Sequence, residues 1–153
     1  MDLDEKYMAF AIEEAEAAYR ENEVPVGAVL VMNGEIIGRG HNHREAKLAI
    51  SSHAEIEAIE DAANKLGRWN LEGATLYVTL EPCLMCAGAI VQSKISRLVY
   101  GADDVDRGAV RSKLSAFEYF KNDACPLVSR GVKEEECKAL IGDFFKETRL
   151  RKK

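Results

Sequence analysis

The sequence lacks any apolar run long enough to cross a bilayer, although 47% of its 153 residues are hydrophobic. A membrane-spanning helix needs about 20 consecutive apolar residues, so a function that requires such an anchor is excluded. Three of the first five residues are acidic, and this segment lacks the apolar stretch of a signal peptide, which predicts a cytoplasmic protein. The length predicts a single domain, residues 1–153, around one hydrophobic core.

Histidine and cysteine are also scarce, with three and four residues in the whole chain. Two of the cysteines form a C-x-x-C pair, which in a cytoplasmic protein is more typical of a metal or redox site than of a disulfide. A metal site therefore has few possible ligand sets. The candidates are His41, His43, His53, Cys83, Cys86, Cys125 and Cys137.

Positive net charge is absent as well, since the formal charge is -5. This argues mildly against a nucleic-acid partner, but the charges are uneven, because residues 146–153 carry five basic side chains and one acidic one. A basic end can bind an acidic partner. Cations are also common at a helix C-terminus, where they suit the helix dipole. For residues 146–153 taken alone, the helix-dipole explanation is favoured.

The spacing of apolar residues predicts helices that alternate with strands. The Asn33-Gly34 pair predicts a hairpin turn between the first two strands. The alternation predicts an α/β fold with helices on both faces of a sheet. The predicted helices are residues 4–21, 53–66, 83–92, 112–120 and 133–149, and the predicted strands are residues 26–32, 35–40, 75–80, 98–100 and 127–128.

The chemistry is expected in two segments at predicted helix starts, His53-Ala54-Glu55 and residues 82–86 (Pro-Cys-Leu-Met-Cys). Cys83 and Cys86 are three residues apart, so one helical turn can direct both thiolates at one point. A helix N-terminus also favours the metal-binding thiolate form. With His53 they offer one nitrogen and two sulfurs. Structural zinc sites usually have four protein ligands, whereas catalytic ones keep a position for water, so this set predicts a catalytic zinc centre.

Glu55 is the predicted proton carrier of that centre. Residues two apart diverge on a helix, so His53 and Glu55 can serve one site only if the metal lies off the helix tip. A carboxylate there can move protons between water and substrate. Each residue has an ordinary alternative when taken alone: Ser52 and Glu55 fit a capping box, the cysteines could be small core residues or a redox pair, and a lone histidine is seldom a ligand. Together the residues match the H-x-E…P-C-x-x-C pattern of zinc deaminases.

At these residues the sequence resembles the cytidine deaminase superfamily and, within it, the bacterial tRNA-specific adenosine deaminases, on which the motif is itself partly defined. The resemblance extends from about residue 7 to residue 149. The zinc motif indicates the superfamily, and the flanking sequence indicates the subfamily. The matching stretches are residues 23–29, 42, 53–55, 71–90, 100–104 and 144–145.

The resemblance implies a three-layer α/β/α cytidine deaminase-like fold with a mixed five-stranded sheet, and a homodimer that acts on a tRNA anticodon stem-loop. It implies hydrolytic deamination of the wobble adenosine to inosine, with one Zn²⁺ per chain held by His53, Cys83 and Cys86. The substrate contacts that it implies are Asn42, Val26, Ala54, Asp103, Asp104, Phe145 and Arg149. Without the resemblance, Asn42 would be interpreted as a turn residue, and periodicity would place Phe145 in the core.

The sequence departs from the family pattern at three places around the expected substrate rim. Residues 49–52 (Ala-Ile-Ser-Ser) stand where Asp or Asn and then Pro-Thr are usual. Residues 123–125 (Asp-Ala-Cys) replace an Asn-His-Arg, and Arg111 replaces a glycine before Ser112. These changes spare the metal motif but weaken the tRNA assignment. A deaminase of a free nucleobase or nucleoside, of the guanine or cytosine type, is the alternative, and a non-catalytic zinc-binding protein is a third hypothesis.

Overall fold

The structure, a computed structural model, describes residues 2–121 and 123–151. Its five strands form one mixed sheet: β1 (Gly27–Met32), β2 (Glu35–His41), β3 (Thr75–Leu80), β4 (Arg97–Ala102) and β5 (Leu127–Arg130), in the order β2-β1-β3-β4-β5. Strand β1 is antiparallel to both β2 and β3, whereas β3, β4 and β5 run parallel to one another. The predicted mixed five-stranded sheet is confirmed.

The helices cover both faces of this sheet and are α1 (Leu3–Arg20), α2 (Arg44–Lys47), α3 (Ala54–Leu66), α4 (Leu84–Gln92), α5 (Ala116–Tyr119) and α6 (Glu134–Arg151). Helices α1 and α6 pack in one apolar layer, and α3 and α4 pack in the other. The α/β/α arrangement of three layers is therefore confirmed. Among the described residues, no helix is both long enough and apolar enough to cross a membrane.

Strand β1 shows why its sequence is a continuous apolar run. Ala28 and Leu30 face the layer of α3 and α4, while Val29 and Val31 face the layer of α1 and α6. A strand buried on both faces has no solvent side and so no alternation of polar residues.

Two backbone features set the position of β2 and of the helix that follows it. The predicted hairpin turn is present, with positive φ at Asn33 (52°) and Gly34 (78°), as this turn requires. Gly40 lies against the start of α3, where a Cβ atom would come within 2.6 Å of the carbonyl oxygen of Ala54 and the amide nitrogen of Ala58. The absent side chain lets α3 dock closely on β2.

Two short helices differ from the sequence-based expectation. The helix predicted over residues 112–120 is reduced to α5, and residues 110–112 instead form a turn whose backbone N–H groups bond to the buried carboxylate of Glu81. Helix α2 was not predicted. Its first turn is stabilised by Glu23, a buried residue whose carboxylate accepts hydrogen bonds from two backbone N–H groups in that turn.

Candidate metal centre

The three predicted metal ligands converge where α3 and α4 begin. His53 and Cys83 are the N-cap residues of these helices, both with extended backbone, and Cys86 lies one turn into α4. Neither N-cap side chain makes a capping hydrogen bond to its own helix. The point at which they meet therefore lies off two helix tips, as the spacing of His53 and Glu55 requires.

The distances within this group fit a tetrahedral zinc ion. Nδ1 of His53 lies 3.7 Å from Sγ of Cys83 and 3.5 Å from Sγ of Cys86. A nitrogen and a sulfur bound to one tetrahedral zinc ion at normal bond lengths are about 3.6 Å apart. Two thiolates and an imidazole are also a donor set that zinc prefers over magnesium or calcium.

The other two cysteines lie away from this group. Cys125 donates hydrogen bonds to the carbonyl oxygens of Phe117 and Phe120. Cys137 is buried in the layer of α1 and α6. We predict that neither cysteine binds the metal, and the surroundings of both agree with this prediction.

The pKa values of the Cys83 and Cys86 thiols are shifted in opposite directions. Hydrogen bonding to Cys86, and then to His53, lowers the pKa of the Cys83 thiol to about 3, although burial opposes this. The same contact with Cys83, together with burial, raises the pKa of Cys86. The protonation of the two thiols is therefore coupled.

Glu55 is the second residue of α3 and is only 4% exposed. Burial raises the pKa of its carboxyl group to about 7, while the adjacent His53 acts in the opposite direction. A cation on the nearby ligands would favour the ionised form. A carboxyl group whose pKa lies near neutrality can both accept and donate a proton.

The capping-box interpretation of Glu55 is wrong. His53, and not Ser52, is the N-cap of α3. The cap comes from a distant residue instead, because Oδ1 of Asn42 accepts a hydrogen bond of 3.0 Å from the N–H of Ala54.

Hydrogen bonds connect three of the predicted substrate residues, Val26, Asn42 and Ala54, at the start of α3. Asn42 bonds to Ala54 through its side chain, and its backbone N–H donates to the carbonyl oxygen of Val26 at 3.3 Å. All three residues are buried. Asn42 is therefore more than a turn residue, since it connects Val26, the residue directly before β1, to the first residue of α3.

Asp103 and Asp104 begin the loop that follows β4, and both carboxylates have partners within the chain. Asp103 accepts a hydrogen bond from the Tyr100 hydroxyl and pairs with Arg130 at 3.4 Å and Arg111 at 3.9 Å. Asp104 accepts the backbone N–H groups of residues 106 and 107. Both aspartates thus order the loop in which they lie.

Phe145 and Arg149 lie on α6, in the layer opposite to α3 and α4, so the structure does not bring them together with the metal ligands. The core position that periodicity predicts for Phe145 is wrong, because Phe145 is 44% exposed. Phe144 is buried in its place and packs edge-on against Tyr19. Arg149 is exposed as well. Of the basic end, Lys152 and Lys153 lie outside the described residues.

Glu81 is a residue of the site that sequence reasoning missed. It is 2% exposed and directly precedes Pro82 and Cys83. Its carboxylate ties the loop of residues 104–112 to the metal-binding segment, because it accepts hydrogen bonds from the backbone N–H groups of Asp104, Val110, Arg111 and Ser112 and from the Ser112 hydroxyl. The sequence signal that could have identified it is an acidic residue directly after the apolar strand of residues 75–80.

The same contacts explain why Arg111 can replace a glycine. Its backbone N–H donates to Glu81, and its side chain is exposed. Arg111 is also not among the described residues whose φ angle is positive. The position therefore imposes no requirement for glycine. Residues 49–52 form their own turn, which a 3.2 Å hydrogen bond from the N–H of Ser52 to the carbonyl oxygen of Ala49 closes. The Ser52 carbonyl oxygen in turn accepts the N–H of His43 at 2.9 Å.

We expect Glu81→Gln to lower the free energy of unfolding by about 3 kcal/mol. The amide can accept hydrogen bonds on one oxygen only, and its NH₂ group would face backbone N–H groups that are themselves donors. Burial raises the pKa of Glu81, but the hydrogen bonds from Ser112, Arg111 and Asp104 outweigh it and lower the pKa below 4.5. The wild-type advantage is therefore complete above pH 4.5 and is lost as the pH falls through the lowered pKa.

Chemical denaturation between pH 7 and pH 3 measures this difference. Glu118→Gln is the matched control, because it removes the same charge from an exposed position nearby. A Glu81→Gln variant as stable as the control at pH 7 would contradict the role of Glu81 in anchoring the loop.

Comparison with known proteins adds an independent line of evidence. The family model of the cytidine and deoxycytidylate deaminase zinc-binding region matches residues 1–102. The tRNA-specific adenosine deaminase of Bacillus subtilis is 48% identical, with 100% of this chain and 95% of the relative covered. That of Haemophilus influenzae is 44% identical, with 99% and 88% covered. A structure from studies of A-to-I editing by tRNA deaminases at the wobble position is 43% identical, with a TM-score of 0.85 over 88% of this chain and 98% of that one.

Proposed function

This chain belongs to the cytidine and deoxycytidylate deaminase family and, within it, to the tRNA-specific adenosine deaminases, and on that basis we propose that it converts the wobble adenosine of a tRNA anticodon to inosine. The reaction replaces the amino group on C6 of adenine with oxygen and releases ammonia. The observation that carries the proposal is the group of His53, Cys83 and Cys86 with the buried Glu55 beside it. Residues 1–153 are proposed to form one domain of this type.

In this proposal His53, through Nδ1, and the sulfurs of Cys83 and Cys86 hold one zinc ion per chain. The distances among the three atoms support this assignment. When bound, zinc supplies a water whose pKa is lowered from about 16 to near 7, which makes it nucleophilic at neutral pH.

Glu55 moves the protons. Its carboxylate accepts a proton as the nucleophile forms and delivers it to the ring nitrogen of the base. It then takes a second proton from the new hydroxyl group on C6 and passes it to the departing amine, which leaves as ammonia. Burial supports this role, because a group whose pKa is raised towards neutrality releases a proton readily after accepting it.

Val26, Ala54 and Asn42 are proposed to bind the base. C6 of adenine cannot be reached within a stack, so the anticodon loop has to present the wobble base unstacked. Val26 and Ala54 offer apolar surface. With Oδ1 of Asn42 bonded to Ala54, its NH₂ group is the part that can donate to the nucleotide.

The remaining substrate residues are proposed to act on the RNA around the target base. Asp103 and Asp104 order the loop that meets the flanking nucleotides. Phe145 is an exposed aromatic side chain that can stack on an unpaired base, and Arg149 adds a cation on the same helix. Exposure of both side chains supports this assignment.

We also propose that the protein is a cytoplasmic homodimer. A groove of about 650 Å³ lies beside α3 and α4 and is lined in part by Ile59, Ala89, Val91 and Trp69. Trp69 is 64% exposed. An open apolar groove of this kind is suited to burial against a second copy of the chain.

Incubation with an anticodon stem-loop tests the proposed function. We expect inosine at the wobble position of a loop that carries adenosine there, and none when a complementary strand holds that adenosine in a duplex. Free adenosine, guanine and cytosine serve as competing substrates. Turnover of a free base without any inosine in the stem-loop would contradict the proposal and favour the free-base alternative.

A further inference from the structure

A second group of potential metal ligands lies where β2 ends. His41 is the last residue of β2, His43 follows two residues later, and Glu21 is the C-cap residue of α1. One ligand atom from each of the three lies within 4.8 Å of the others. None of these residues belongs to the proposed deaminase centre.

Both imidazoles direct the same nitrogen at one carboxylate oxygen. Nε2 of His41 lies 3.1 Å from Oε1 of Glu21, and Nε2 of His43 lies 3.4 Å from the same oxygen. The ring centroids are 4.2 Å apart. Nitrogen and oxygen ligands of one tetrahedral zinc ion are separated by about 3.3 Å at normal bond lengths.

The opposite nitrogen of each ring is held by a further carboxylate. Nδ1 of His41 lies 2.9 Å from Oε1 of Glu14, and Nδ1 of His43 lies 2.7 Å from Oε1 of Glu57. A carboxylate accepts hydrogen bonds, so each Nδ1 carries the hydrogen. Metal-binding histidines usually donate their second N–H in this way, which fixes the other nitrogen as the ligand.

This arrangement requires a positive species between the two Nε2 atoms and Glu21. In the neutral tautomer, both Nε2 lone pairs face an anionic oxygen, so either protons or a metal ion must lie between them. Glu14 and Glu57 have cationic partners as well, Arg39 and Lys47. Among the described residues, the ion pairs of Glu21 are with the two histidines alone.

We propose that Glu21, His41 and His43 bind a second divalent transition metal ion of the kind that imidazole ligands favour, with Zn²⁺ and Ni²⁺ as examples. The Glu21 side chain is 49% exposed, which gives an ion and its remaining water ligands access. The ion connects the end of α1 to the turn that carries Asn42 and, through Glu57, to α3. It adds to the single zinc proposed for the deaminase centre and does not depend on that function.

Equilibrium dialysis at pH 7.5 tests this site. Untagged protein that already holds one equivalent of zinc is titrated with Zn²⁺, Ni²⁺ or Mg²⁺, and bound metal is counted by elemental analysis. We expect a second equivalent of zinc or nickel, and no second equivalent of magnesium. Glu21→Gln and His43→Gln should each weaken the second equivalent at least tenfold and leave the first unchanged.

Glu13→Gln is the matched control, because it removes the same charge from an exposed position on α1, and it should bind metal as the wild type does. Substitution with Co²⁺ at the second site gives a further readout, since a site without sulfur lacks thiolate charge-transfer absorption. The proposal is overturned if no second equivalent binds, as protonated imidazoles would predict. It is equally overturned if the second equivalent survives unchanged in both variants.

Discussion

Glu55→Gln is expected to reduce the turnover of the anticodon stem-loop by about 10²–10⁴-fold while the chain keeps its full equivalent of zinc. The amide has nearly the same shape as the carboxylic acid, so the buried position stays filled. It cannot take a proton from water or pass one to the leaving amine. The zinc ligands are unchanged, which separates the loss of proton transfer from the loss of metal. Glu55→Ala should show the same combination of bound zinc and lost turnover.

Glu16→Gln is the control for this variant, since it removes the same charge from an exposed position on α1. Inosine is counted by nuclease digestion and mass spectrometry, and zinc is measured on the same samples. Near-normal turnover in Glu55→Gln or Glu55→Ala would show that another group carries the protons.

Cys86→Ala is expected to lose zinc and stability together, because its buried side chain in the first turn of α4 is a proposed zinc ligand. A metal that binds the folded chain alone stabilises it by about 4 kcal/mol when its free concentration is 1,000 times the Kd. Removal of one of three protein ligands should forfeit most of that stabilisation. Cys83→Ala should behave in the same way, since Cys83 is the other proposed sulfur ligand and its Sγ lies 3.7 Å from Nδ1 of His53.

Elemental analysis and thermal unfolding with and without added zinc measure this effect. The wild-type melting temperature should rise with zinc, and that of either variant should not. The double substitution Cys125→Ala and Cys137→Ala provides the control, and it should keep one zinc per chain. A full zinc equivalent in Cys86→Ala would contradict the ligand assignment.

The parts of the fold that depend on local chemistry could be predicted from the sequence. Asn33-Gly34 specifies its turn because both residues tolerate positive φ. The apolar run of β1 predicts burial on both faces. The spacing of Cys83 and Cys86 predicts a shared point at a helix start, because both residues lie within one helical turn.

The parts that depend on distant hydrogen bonds could not be predicted. Asn42 caps α3 from twelve residues away, and the local Ser52 signal was misleading for this reason. Glu81 holds backbone groups about 30 residues further along the chain. Those contacts lie in a turn over residues 110–112, and the helix predicted over residues 112–120 begins only at Ala116.

Periodicity also fails where a helix has two adjacent aromatic residues at the edge of its apolar side. Phe144 and Phe145 are both compatible with the apolar stripe of the last helix, and only the angle at which α6 docks decides which of them is buried. That angle is set by contacts with α1 and the sheet. The exposed Phe145 is consequently available to a partner, which the sequence pattern alone did not indicate.

The most direct test of the central claim is zinc K-edge X-ray absorption of protein loaded with one equivalent of zinc. The account predicts two sulfur neighbours at about 2.3 Å and two nitrogen or oxygen neighbours at about 2.0–2.1 Å, one of them from His53. A first shell with four sulfur neighbours, or with none, would contradict it.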